Sequence, residues 1–218
     1  MRIKLYDSND NKILFDAKRI IDNGFYGIVY KLDDGKCLKR FTKDYLYDEA
    51  AFKKLMELDL PNFYKIYEML YNSNCDFGGY TMKYYDKKDI DIITMPVDYT
   101  FDNIIRLFAA AKKISDEGIL IYDLHDGNII MDDNNITVID MDLYSYCDFM
   151  DKDRVTKLNY GYIYALFKEL YFNSLYYNNI EDNMLVHNLF NEKENVTCLV
   201  RKLAKYKYPI DYVIANQK

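Results

Sequence analysis

Two hydrophobic periods divide this chain, and the change between them near residue 85 limits the fold more than any single residue does. Before it, "RIKLY" and "KILFD" flank the polar turn "DSNDN", and "GIVYKLDDGKCLKRF" carries Asp34-Gly35 between two apolar-rich runs. Asp-Gly tolerates the positive φ that a two-residue hairpin needs, so these runs read as antiparallel strands. From Asp44, "DYLYDEAAFKKLMEL" places Leu46, Ala50, Phe52, Leu55 and Met56 at near-helical intervals, with Pro61 as its stop. "NFYKIYEMLYN" and "GGYTMKYY" then read as two more strands around the loop "SNCDFG". Past a boundary at Tyr84 to Lys88, "TFDNIIRLFAAAKKISDEG" has the period of an amphipathic helix stopped by Gly118, and "LNYGYIYALFKELYFNSLYY" is a second, more apolar helix. The expected class is α+β, with an antiparallel sheet and one helix first and helices second.

Composition excludes several partners. The net charge of -6 opposes grip on nucleic acid, which needs a basic face for backbone phosphates. No apolar run reaches the roughly 20 residues that span a bilayer, and "MRIKLYDSND" lacks the apolar core of a signal peptide, so neither a membrane nor export is expected. Cys37, Cys75, Cys147 and Cys198 are scattered without metal-ligand or disulfide spacing, which fits a reducing cytoplasm. The 24 tyrosines are expected as amphipathic rings at half-buried positions.

The chemistry concentrates in "LIYDLHDGNIIMDDNNITVIDMD". A helix ends at Gly118, the polar loop "DLHDGN" follows, and two apolar triplets flank the turn "DDNN". Pairing those triplets as a hairpin brings Asn128, just before the first, beside Asp140, at the end of the second. An amide and a carboxylate fit one Mg2+, a hard cation usually held by one or two protein groups plus substrate phosphates. Asp123, five positions before Asn128, falls at the loop's rim, where it can accept or orient a proton. Singly, such residues in turns most often satisfy backbone donors, so the weight rests on their spacing.

That spacing resembles the protein-kinase superfamily: "D-L-H-D-G-N" is similar to the catalytic loop D-L-x-x-x-N, and "V-I-D-M-D" to the D-F-G segment. The resemblance assigns Asp123 to the acceptor hydroxyl, and Asn128 and Asp140 to metal. Upstream, "DNGFYGIVYK" is similar to the glycine-rich loop, with Gly24, Gly27 and Val29 matching and Asp22 at the first glycine position. "K-C-L-K" puts Lys39 at the phosphate-pairing lysine, and Glu49 is the chosen helix partner, with Asp48 and Glu57 as alternatives. "YTMKYY" resembles the adenine hinge, which implies Met82 on the pocket wall and backbone contacts from Lys83 to Tyr85. His125 stands where most protein kinases carry lysine and resembles the D-L-H of aminoglycoside and choline phosphotransferases. It is expected either at the transferring phosphate or in a loop hydrogen bond. "NYGYIYALFKEL" resembles the buried central helix of the large lobe, with Asn159 where an Asp is usual.

The resemblance spans roughly residues 18 to 170 and implies a bilobal fold, with an N-lobe over 1-85 and a reduced helical C-lobe over 86-218. It implies ATP and Mg2+ as cofactors. There are departures. Ile121 and Tyr122 replace the His-Arg pair before Asp123, no A-P-E follows, and only 19 positions separate Asp140 from Asn159. A switch by loop phosphorylation is therefore not expected, and an activating partner protein is the alternative. His187, near the end, is expected to be structural or exposed. The expected function is a minimal Ser/Thr protein kinase acting on a protein substrate in the cytoplasm, delivery to another cell not being excluded by the sequence. A small-molecule phosphotransferase, with a small-molecule acceptor, is the runner-up. A pseudokinase binding module is disfavoured because the lysine, the catalytic Asp and the metal Asp each have a candidate.

Overall fold

A computed structural model of the chain describes residues 1–42, 47–85, 97–132 and 135–175. The expected hairpin forms from β1 (Arg2–Tyr6) and β2 (Lys12–Asp16), paired antiparallel from Arg2↔Asp16 to Tyr6↔Lys12. Next come β3 (Arg19–Asn23), β4 (Gly27–Lys31) and β5 (Lys36–Phe41), then helix α1 (Glu49–Glu57), then β6 (Ile66–Tyr71) and β7 (Phe77–Lys83). These seven strands make one antiparallel sheet in the order β2-β1-β6-β7-β5-β4-β3. The rest is mainly helical: α2 (Val97–Asp116) and α3 (Lys152–Leu175) pack on each other, and between them lie β8 (Ile119–Leu120), β9 (Ile129–Met131), β10 (Ile136–Val138) and β11 (Ser145–Tyr146). The α+β class thus holds among the described residues. None of their helices is long and apolar enough to cross a membrane.

Period-two alternation sorts the strands between two cores. Leu38 of β5 joins Ile3, Leu5, Tyr30 and Leu70 on one face of the sheet. Its neighbour Cys37 points the other way, into the main core with Phe52, Tyr80, Met82 and the α2 residues Leu107, Ala111 and Ile114. Lys39 is two positions along β5 from Cys37, so it faces that main core. Burying an apolar side chain as fully as Phe52, which is 0% exposed, contributes about 1.5–3 kcal/mol, and α1 adds Ala51 and Leu55 to the same face.

Three boundaries differ from the sequence reading. Helix α1 begins at Glu49 because Asp48 caps it, its carboxylate accepting from Ala51 N at 3.0 Å, whereas the periodicity ran back to Asp44. Residues 43–46 lie outside the described residues, and the helix has already ended at Leu58, before Pro61. Helix α3 starts at Lys152, six residues before the apolar run at Leu158. The pairing of β11 with β8 was not foreseen, because two-residue strands leave no readable alternation. Gly118 does end α2, with φ of +76° in the left-handed region that closes helices at little cost for glycine.

Tyrosine departs from expectation too. Tyr64, Tyr80 and Tyr144 are buried outright, at 3%, 0% and 1% exposure, instead of lying half out. Cys37, Cys75 and Cys147 are free thiols, and Cys198 and His187 lie outside the described residues.

Candidate functional site

The strand register builds one wall of a cleft. Val29 on β4 stands opposite Lys39 on β5, Lys39 opposite Tyr80 on β7, and Cys37 opposite Met82, so these residues share a face of the sheet. The opposite wall comes from the hairpin of β9 and β10, whose register pairs Val138 with Ile129. Ile139 N then donates to Asn128 O at 2.9 Å, which sets Asn128 and Asp140 side by side at the open end of that hairpin, as their spacing predicts. The hairpin is fastened to the sheet region by Tyr64 N to Val138 O and Val138 N to Asn62 O, each 2.8 Å. Buried Asn62 and Asn103 reinforce this seam by bonding Ile136 on both sides of its backbone.

Between the walls lies a cleft of about 390 Å³. Val29, Lys39, Met82, Lys83 and Tyr85 line it from the sheet side, and Asn128 and Asp140 from the hairpin side. Ile21, Asp22, Cys37, Tyr64, Ile130 and Ile139 also face it, none of which the sequence reading singled out for binding except Asp22, as a departure. Ile21 and Ile139 belong to runs with ordinary strand patterns, so only the fold could reveal that they converge.

Lys39 is the cation of this cleft. Its side chain is 9% exposed, and its Nζ lies 3.0 Å from Asp140 Oδ2 and 2.6 Å from Asp142 Oδ2. Burial works to lower its pKa, but the charges of Asp142 and Asp140 outweigh burial and raise it above the usual lysine value. Asp142 is pushed up to about 6, chiefly by burial, with Asp140 raising it further and Lys39 opposing. Asp142 is the residue the sequence reading missed. It lies two positions after Asp140 in "VIDMD", past the end of β10 in a turn where Asp142 N donates to Asp140 Oδ1 at 3.1 Å, and nothing local announces that its carboxylate is buried.

The partnership expected for Lys39 is therefore corrected. Glu49 accepts from Tyr71 OH at 2.8 Å and pairs with Lys53 at 2.7 Å, and these hold its carboxyl below the usual range, the Lys53 contact first. Of the two alternatives, Asp48 bonds Tyr146 N at 2.6 Å and Ser145 Oγ at 3.2 Å besides capping α1. Glu57 stands at the far end of the helix from this cap. The short interval between Lys39 and the helix acids leaves α1 joined to the segment after Asp140, through Asp48, and Lys39 joined to Asp142.

The loop from Asp123 to Asn128 is held from within. Asp123 adopts φ of +56°, a left-handed conformation that Asp tolerates better than most residues. Asn128 Nδ2 donates to the Asp123 carbonyl at 2.8 Å and reaches its carboxylate at 3.4 Å. The Asp123 carboxylate is half exposed, at the rim and reachable from solvent. His125 takes the second of its two expected roles. Its Nδ1 accepts from Gly127 N at 3.1 Å and caps the short 3-10 turn Asp126–Asn128, while its Nε2 lies 3.7 Å from Asp123 Oδ1. The imidazole holds the loop and is not part of the cleft lining.

The glycines divide similarly. Gly24 N donates to Gly27 O at 3.0 Å, closing the turn between β3 and β4. A Cβ at Gly27 would lie 2.8 Å from the Arg40 carbonyl oxygen, so sheet packing alone demands glycine there, whereas Gly24 is open.

Behind the loop, Asn159 on α3 is 0% exposed and makes three bonds: Ile121 N to its Oδ1 at 2.7 Å, and its Nδ2 to Ser115 Oγ and Ile119 O, each 2.8 Å. This amide ties α3 and α2 to the backbone that leads into Asp123. Replacing Asn159 with Leu leaves a buried N–H and a buried carbonyl unpartnered, and urea unfolding should show a loss of about 3 kcal/mol.

Among the described residues no cluster of three or more His, Cys, Asp or Glu side chains is placed to hold a metal ion by itself. Asn128 with Asp140 can supply two oxygen ligands, with the remainder left to a ligand's own oxygens. The cleft thus combines apolar walls, one buried ammonium and the side chains of Asn128 and Asp140, with the half-exposed Asp123 carboxylate beside Asn128. Comparison with protein-family models finds no match to this chain, and comparison with curated proteins likewise finds none.

Proposed function

We propose that this chain is an ATP-dependent phosphotransferase of protein-kinase-like bilobal form, most simply a minimal Ser/Thr protein kinase. The observation that carries the reading is the meeting of Lys39 and Asp140, 101 residues apart in sequence and 3.0 Å apart in space, in one cleft with Asn128. Three motifs read separately from the sequence thereby converge on one volume. The order of parts supports it as well: a glycine turn, a lysine strand, a helix, two more strands, then a loop and hairpin bearing Asp123, Asn128 and Asp140.

In this reading the purine occupies the apolar part of the cleft between Val29 and Met82, against the segment from Lys83 to Tyr85, where Lys83 N and Tyr84 N already donate to Lys65 O at 3.3 Å and Gly35 O at 2.9 Å. Lys39 pairs with nucleotide phosphates. Asp140 and the Oδ1 of Asn128 hold Mg2+, since the amide nitrogen of Asn128 is already engaged by Asp123. These two oxygens would hold Mg2+ where its charge would offset that of the phosphates. Asp123 orients the acceptor hydroxyl and takes up its proton. Asp22 lines the cleft where a glycine is usual in kinases, its Oδ1 accepting from Asn23 N at 2.9 Å.

The acceptor is a hydroxyl, and a protein hydroxyl is preferred for two reasons. The imidazole of His125, whose resemblance favoured a small-molecule acceptor, is engaged in capping its own loop. Between α2 and α3 the described residues also hold only short strands and one 3-10 turn, not the large helical insertions of small-molecule phosphotransferases. Incubating the full chain with γ-labelled ATP and Mg2+, alone and with a protein extract, tests both levels. Label on the chain or on extract proteins supports the reading, label only on small molecules favours the alternative acceptor, and no label in any fraction sinks it.

A further inference from the structure

Lys39 needs a fixed counter-charge, because an ammonium at 9% exposure is costly unless paired and hydrogen-bonded. Two carboxylates reach it, and they are not equivalent. Asp140 is 31% exposed at the cleft and is the carboxylate assigned above to the cation. Asp142 is 1% exposed, and its other oxygen is held from behind: Tyr80 OH donates to Asp142 Oδ1 at 2.8 Å, and Tyr64 OH donates to Tyr80 OH at 2.7 Å. The two rings lie 5.8 Å apart and 12° from parallel, both buried. Tyr80 is also the cross-strand neighbour of Lys39, so the sheet register that places the lysine places the hydroxyl that fixes its partner. No such support links Lys39 to α1, whose Glu49 is engaged by Lys53 and Tyr71.

We propose that Asp142 is the positioning residue for Lys39, held by the Tyr64–Tyr80 hydroxyl relay, so that the lysine stays aimed into the cleft when Asp140 turns to a cation. This deepens the phosphotransferase reading and rests on it for its purpose, although the pairing itself exists without nucleotide. It carries a regulatory consequence. A displacement of α1 has no direct lever on Lys39, because the orienting carboxylate belongs to the segment after β10 and not to the helix.

The test is the rate at which an acetylating N-hydroxysuccinimide ester modifies Lys39 in the full chain without nucleotide, read by peptide mass spectrometry. Asp142→Asn should speed that modification by about fivefold or more, since a buried charge loses its fixed partner. Glu49→Gln should leave it within about twofold, as expected for a half-exposed pair elsewhere. Tyr80→Phe separates positioning from mere structure, because it removes the other tie of Asp142 and leaves the lysine contact. It should accelerate the modification, by no more than Asp142→Asn does, and a Tyr80→Phe rate equal to the parent's would overturn the relay as what holds Asp142. Modification of Asp142→Asn at the parent rate overturns it as well. Circular dichroism melts establish that the variants are folded. If Asp142→Asn does not fold, Glu49→Gln decides, and a fivefold acceleration there returns the positioning role to α1. In the transfer assay Asp142→Asn should lower kcat about tenfold. Failure of the parent chain to bind ATP would defeat the phosphotransferase reading, while the acetylation rates would still decide which carboxylate positions Lys39.

Discussion

Asp140→Asn is expected to abolish the stabilisation of this protein by ATP and magnesium. At ATP·Mg2+ about a hundredfold above its dissociation constant, the parent chain should gain about 2.7 kcal/mol, because a ligand that binds only the folded state stabilises it in proportion to the logarithm of one plus the ratio of its free concentration to its dissociation constant. For a chain of this size that is a rise in Tm of about 5–10 °C. The variant should rise by less than about 1 °C, since Asn128 alone is too weak a site for a cation that prefers anionic oxygen. Its fold should survive, because Lys39 keeps Asp142 at 2.6 Å after the Asp140 charge is lost. A thermal-shift titration with ATP in the presence of Mg2+ or of chelator reads this directly. Equal shifts with metal and with chelator in the parent chain would remove Asn128 and Asp140 from any metal role.

The contrast between Asp140 and Asp142 illustrates how far this sequence could be read. Local signals did well where the cause is local. Asp34-Gly35 sits at the tight turn between β4 and β5, Gly118 stops α2, and the two triplets around residues 132–135 pair so that Asn128 meets Asp140. The side of β5 on which Lys39 lies also follows from alternation with Cys37 and Leu38. Partner choice was not legible. Glu49, Asp48 and Asp142 are all acids within reach of a plausible Lys39 pairing in sequence terms, and what separates them is tertiary. Tyr71 and Lys53 engage Glu49, the backbone of Tyr146 engages Asp48, and the buried hydroxyl of Tyr80 prepares Asp142. A composition rich in tyrosine says only that amphipathic rings are available. That five of them are buried among the described residues depends on tertiary packing, and that Tyr64 and Tyr80 form a relay to a carboxylate depends on the strand register, which sets Tyr80 against Lys39. The early start of α3 was hidden for a related reason, as its first turn, "KDRVTK", is mostly exposed and offers only Val155 to the core.

Asp123→Asn should separate binding from chemistry. Its carboxylate is half exposed at the rim, outside the cleft lining, and it touches the cation position only through Asn128. The substitution keeps the shape of the side chain. The bond that fixes the loop, from Asn128 Nδ2 to the Asp123 backbone carbonyl at 2.8 Å, does not involve the group that changes. An Asn in this position also tolerates the left-handed φ of +56°, so the backbone has no reason to rearrange. ATP·Mg2+ should therefore still raise Tm as it does in the parent chain, within about 1 °C. What the substitution removes is the carboxylate proposed to orient and deprotonate the acceptor hydroxyl, a contribution of about 10²–10⁴ in rate for a well-placed general base. Labelled-ATP transfer to the acceptor should fall by that factor, with KM for ATP nearly unchanged. If the variant transferred phosphate at the parent rate while binding ATP normally, Asp123 would be a loop residue held by Asn128, and the base would have to be sought among the other groups at the rim of the cleft.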